Sequence, residues 1–124
     1  MKTLTISIVM LLVSVTALAT DLGESYCGLW LTANKKMVVK IYQEKGMLQG
    51  RVHEMKEEME DFQQGDIILT GLLQDKDGSY TEGQFIKGTR KIDCSMILGF
   101  SGVLLVTFKK GLISRKVAWT KIEE

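Results

Sequence analysis

The stretch from Lys36 to His53, KMVVKIYQEKGMLQGRVH, holds two short runs of β-branched, aromatic and long apolar residues joined by Glu44-Lys45-Gly46. Side chains in a strand alternate faces, so residues two apart share a side. Val39 and Ile41 then oppose Lys36 and Lys40, while Leu48, Gly50 and Val52 oppose Gln49, Arg51 and His53. Gly46 supplies the positive φ that a tight hairpin requires. The stretch reads as a β-hairpin with one apolar and one solvated face.

The same grammar continues in both directions. Segments of this type recur at Gly28–Ala33, Lys36–Gln43, Met47–His53, Asp66–Leu73, Tyr80–Lys87, Lys91–Leu98, Val103–Lys109 and Leu112–Thr120. Turn signals separate them, among them Asp75-Lys76-Asp77-Gly78 and Lys110-Gly111. Gly83 and Phe85 oppose Glu82 and Gln84; Ile92, Cys94, Met96 and Leu98 oppose Lys91, Asp93 and Ser95; Ile113, Val117 and Trp119 oppose Ser114, Lys116 and Thr120. Eight antiparallel strands with one apolar face predict an all-β, up-and-down barrel, which leaves no edge exposed and encloses room for side chains or one small ligand. An immunoglobulin-like sandwich fits less well, because Cys27 and Trp30 stand only three apart.

The segment from His53 to Gln64 departs from the alternation, with Met55, Met59 and Phe62 at i, i+4 and i+7 among Glu54, Lys56, Glu57, Glu58, Glu60 and Asp61. That spacing predicts a short amphipathic helix between the third and fourth strands, closing one end of the core or lying over it as a lid. A helix splays its carboxylates, so a Ca²⁺ or Mg²⁺ site is not expected there.

Residues 1–19 carry Lys2 as their only charge, an apolar run from Ile6 to Val15 and the small-x-small triplet Ala17-Leu18-Ala19. These are the three parts of an export signal cleaved after Ala19, leaving residues 20–124 as one domain. The apolar run falls short of the ~20 residues a membrane span needs, so no stable membrane insertion is expected. The expected location is the periplasm or the medium.

The 124 residues are 45% hydrophobic and 25% charged, with 12 Gly and no Pro, which excludes disorder, collagen and coiled coil. With 16 basic and 15 acidic groups, the net charge of +1 is too small to attract nucleic acid or an anionic membrane through bulk electrostatics. Two cysteines in an oxidising compartment permit a bridge between Cys27 and Cys94, although an inward Cys94 also behaves as a small hydrophobe. Catalysis, metal ligation and a cofactor are not expected: His53 is the only histidine, it is predicted outward, and no phosphate loop, dinucleotide fingerprint, HExxH, GxSxG or CxxC occurs.

Gly28-Leu29-Trp30 on the first strand, with Arg115 on the last, resembles the signature of lipocalin-like barrels, in which the arginine packs across the indole and closes the barrel base. Nearly the whole mature chain is similar to an exported bacterial family, domain of unknown function 2147. The matching pieces are Val38-Val39-Lys40-Ile41-Tyr42, Gly46 with Gly50, Ile68-Leu69-Thr70-Gly71-Leu72, Tyr80 with Gly83, Cys94 with its apolar strand, and Arg115-Lys116-Val117-Ala118-Trp119-Thr120. The acidic, Met-containing stretch stands where that family carries an Asn-Pro segment. The resemblance implies an exported lipocalin/calycin-like barrel closed by Gly28, Trp30 and Arg115, with an apolar cavity and no established activity.

Two functions follow as expectations. One is a carrier of a small apolar molecule, lipids and fatty acids among the candidates, walled by Val39, Ile41, Val52, Phe85, Met96 and Leu98 with Met55, Met59 and Phe62 over one mouth. The other is a non-catalytic interaction or envelope-stress protein acting through its surface, with a filled barrel core.

Overall fold

The computed structural model describes residues 25–122; the leader read over residues 1–19 and its cleavage site lie outside the described residues. Eight strands follow one another: β1 (Gly28–Leu31), β2 (Met37–Glu44), β3 (Met47–Met55), β4 (Ile67–Gln74), β5 (Tyr80–Lys87), β6 (Arg90–Leu98), β7 (Val103–Lys110) and β8 (Ile113–Ile122). Each pairs antiparallel with the next, and β1 pairs with β8 through Leu29↔Ile122, Trp30↔Lys121 and Leu31↔Thr120, so the sheet is a closed up-and-down barrel. No helix among the described residues is long and apolar enough to cross a membrane.

Alternation sets the core as the sequence requires. Val39, Ile41, Leu48, Val52, Leu69, Leu72, Met96, Leu104 and Val106 are all buried within one cluster, closed by the rings of Trp30, Tyr80, Phe85 and Trp119. Burying such side chains contributes about 1.5–3 kcal/mol each. Ile113, expected inward, instead stands 75% exposed where the β7–β8 hairpin projects beyond the core.

The expected helix after His53 is absent. β3 runs on to Met55, and the chain then turns through a single bridge between Met59 and Phe62 before β4. Two features mimic helical spacing. Val39 pairs with Val52 but Val38 pairs with Glu54, so the ladder shifts register at His53 and turns both Val52 and Met55 inward, three apart. The turn places Met59 and Phe62 three apart as well. Phe62 is buried, and Met55 and Met59 pack on the core, so the inward set is the expected one on a different backbone. A helix here would also stack Glu54, Glu57, Glu58 and Asp61 at i, i+3, i+4 and i+7, and such like-charge neighbours oppose helix formation.

The two ends of the barrel differ. One gathers the connections β2–β3, β4–β5 and β6–β7; the other gathers β1–β2, the long β3–β4 loop, β5–β6 and β7–β8. The first is plugged and the second is open.

Candidate functional site: a recess at one end of the barrel

Tyr26 and Trp30 plug the closed end. Trp30 is 1% exposed, and its Nε1 donates to the Tyr26 carbonyl at 2.9 Å. The Tyr26 ring meets Tyr80 edge-on at 4.7 Å; its hydroxyl donates to the Gly78 carbonyl at 2.8 Å and accepts from the Leu98 amide at 3.2 Å. One phenol thus ties the segment before β1 to the β4–β5 turn and the end of β6. Burial pushes both the Tyr26 and Tyr80 hydroxyls above the usual phenol range.

The cation over the indole is Lys121, which corrects the expectation for Arg115. Lys121 Nζ lies 4.8 Å from the Trp30 ring centroid and donates to the Cys27 carbonyl at 2.6 Å. Gly28 makes this possible, because a Cβ at that position would come within 2.5 Å of Lys121 Nζ. Arg115 and Lys121 occupy one inward-facing row of β8, since residues 115, 117, 119 and 121 share parity. Six residues of strand, about 20 Å, separate them and put Arg115 at the opposite end.

No disulfide joins Cys27 to Cys94. Cys27 precedes β1 at the closed end, whereas Cys94 lies within β6, 5% exposed in the core and paired with Gly83 and Phe108. Burial, with the neighbouring Asp93 carboxylate adding to it, pushes the Cys94 thiol up to about 12, so it remains protonated and unreactive at neutral pH.

Packing is tight through the body of the barrel. A Cβ at Gly83 would collide with Cγ and Cδ2 of Leu72, so that part of the interior is already filled. The open end differs. A recess of about 250 Å³ descends between the β1–β2 turn, the β3–β4 loop and strands β5, β7 and β8. Its floor is a row of tilted rings, Phe62 to Phe85 at 5.8 Å and Phe85 to Phe108 at 4.8 Å, beside Met37 and Trp119. Met59, Val117 and the buried Thr32 form its sides.

Two cations complete the rim. Lys87 follows Phe85 in the inward row of β5, and Arg115 precedes Val117 in that of β8, so both stand at the mouth, with Ile113 beyond Arg115 on the projecting hairpin. Among the described residues the ion pair is Lys56 with Glu54, elsewhere on the surface, so no carboxylate holds Lys87 or Arg115. A broader depression of about 520 Å³ on the outer side of the β3–β4 loop shares Met59 and Phe62 but includes Glu58 and Glu60. Like the recess it is open to solvent, but it lacks the ring floor.

Of the residues expected to line a cavity, Met59, Phe62 and Phe85 do so. Val39, Ile41, Val52 and Met96 are packed in the core, with Leu98 and Met55 against it. Sequence reasoning missed Thr32, Met37, Lys87, Phe108, Val117, Trp119 and the rim position of Arg115 among the lining groups. Phe108, Val117 and Trp119 carried a usable signal, standing at alternate positions on the last two strands. Among the described residues no group of His, Cys, Asp or Glu is arranged to hold a metal ion.

No family model, curated protein or solved structure matches the chain.

Proposed function

We propose that this chain is an exported, non-catalytic, lipocalin-like barrel that binds a small amphipathic molecule, with its apolar body on the ring floor and an anionic head at Lys87 and Arg115. The recess carries this reading: it joins an aromatic floor to two cations, neither of them held in an ion pair among the described residues. A site of this kind, mostly apolar with a few convergent polar groups, is the usual form of a small-molecule pocket. Size limits the ligand. At the ~30 Å³ a water-sized group occupies in a liquid, 250 Å³ takes about eight such groups, the scale of a short fatty acid.

Membership of domain of unknown function 2147 belongs to the same proposal and rests on the motifs quoted above. Charged positions such as Lys40, Arg51, Asp93 and Lys116 along the outer face support a barrel standing in water. The filled interior around Leu72 and Gly83 favours the second reading, a surface interaction or envelope-stress protein, if the recess takes no ligand.

Calorimetric titration with octanoate, and with octanol as its neutral analogue, separates the two. Saturable 1:1 octanoate binding that exceeds octanol binding and falls about tenfold in Arg115→Ala or Lys87→Ala is expected. No binding, or binding indifferent to both substitutions, removes the carrier and leaves the surface-acting protein. Export has its own test: the first residue of protein recovered from the periplasm or medium should be Thr20, and an intact Met1 overturns it.

A further inference from the structure

The β7–β8 hairpin ends in two bare apolar residues. Leu112 is fully exposed and Ile113 is 75% exposed, side by side at the open end of the barrel. Single exposed hydrophobes are ordinary; these two stand within a field of one sign. Lys109, Lys110, Arg115 and Lys116 flank them on the same hairpin, and Arg90 and Lys91 rise from the adjoining β5–β6 hairpin. In the two hairpin ends, residues 87–93 and 109–116, Asp93 is the one carboxylate, and it faces Lys109 across β6 and β7. Acidic charge collects in Glu57, Glu58 and Glu60 of the β3–β4 loop, while Asp61 of the same loop lies with its carboxylate against Gly88 in the β5–β6 turn.

We infer that this hairpin tip docks on an anionic lipid surface, with Leu112 and Ile113 entering the interface and the surrounding lysines and arginines meeting lipid phosphates. An apolar tip within a basic collar is the combination that holds a protein to such a surface without spanning it. The near-zero net charge of the chain hides the collar, because the balancing carboxylates lie mainly elsewhere. Acid on the β3–β4 loop orients the contact: the barrel leans onto β7–β8 and keeps the loop side lifted away. The contact does not depend on what the recess binds.

Phe100 supplies an internal control. It is 94% exposed in the β6–β7 connection at the closed end, where Lys121 is engaged with Trp30. The test is flotation of the full chain with vesicles of phosphatidylglycerol and phosphatidylcholine, against vesicles of phosphatidylcholine alone. Binding to the anionic vesicles is expected, weakened by high salt and weakened about tenfold or more in Leu112→Ser with Ile113→Ser and in Lys110→Glu, while Phe100→Ser binds like the parent. Unchanged thermal unfolding of each variant confirms that its fold persists. Absence of binding, equal binding to neutral vesicles, or equal loss in Phe100→Ser overturns the inference. So does a Leu112-dependent dimer that leaves vesicles alone, which would assign the tip to a second copy of the chain. Octanoate titration of the same variants keeps the two proposals apart, because Leu112 and Ile113 lie outside the recess.

Discussion

Substituting Lys121 tests how the closed end is held. The structure gives its side chain two interactions, the ammonium over the Trp30 ring at 4.8 Å and the hydrogen bond to the Cys27 carbonyl at 2.6 Å. A cation over an indole at an exposed position contributes about 0.5–1 kcal/mol. The charged hydrogen bond, discounted because Lys121 is exposed, adds about 1 kcal/mol. Lys121→Ala should therefore cost about 1 to 2 kcal/mol, which for a domain of this size lowers Tm by roughly 5 to 15 °C. Lys121→Met retains most of the hydrocarbon stem and loses only the charge, so more than half of the loss should persist in it. Arg115→Ala, about 20 Å away along β8, should change stability by less than about 0.5 kcal/mol. Denaturant titration followed by tryptophan fluorescence measures all three. A wild-type midpoint for Lys121→Met, or a loss in Arg115→Ala matching that of Lys121→Ala, would refute this assignment of the closing cation.

Alkaline pH should destabilise the fold with a definite sign. Burial pushes the Cys94 thiol up to about 12 from the 9.0 ordinary for a free thiol, so above pH 9 the unfolded chain releases a proton that the folded chain retains. Stability is complete below that pH and falls by up to about 1.4 kcal/mol per pH unit as pH rises towards 12. Tyr26 and Tyr80, also raised by burial, steepen the fall above pH 10. Denaturation midpoints across pH 8 to ~11 should show a shallower slope in Cys94→Ala, and an unchanged slope would mean that the thiol is not buried as described. Gly83→Ala should cost about 1–3 kcal/mol through collision with Leu72. Adding Leu72→Ala should recover part of that cost, whereas strict additivity in the double variant would show that the two sites do not touch.

The strands were legible because a half-buried barrel imposes a period of two on every segment, and Tyr80–Lys87 coincides with β5 as observed. Legibility failed where that parity was reset. The register shift at His53 places Val52 and Met55 on one side, and a three-residue step of this kind cannot be told from a helical one by spacing alone. The closing cation was hidden for another reason. Alternation puts Arg115 and Lys121 in one row, but which of them meets Trp30 depends on the β1–β8 register, which belongs to two segments about ninety residues apart in the chain. The recess was the least visible feature, because it depends on where the filling of the interior stops. Phe85 and Phe108 are inward residues like any others, and only the three-dimensional height of Lys87 and Arg115 shows that these two stand at the mouth.

The β1–β8 seam also governs the order of events during folding. Every other strand pair joins neighbours in sequence, whereas this one must bring Leu29 to Ile122. Loop-closure entropy grows as the logarithm of length, so this closure costs about 2 kcal/mol more than a hairpin of about ten residues. It also uses the shortest strand, the four residues of β1. The seam is therefore the last stave fitted and the first to spring. Amides of β1 should exchange with solvent sooner than those of β5 and β6, and weakening Trp30 or Lys121 should quicken unfolding while barely slowing the return.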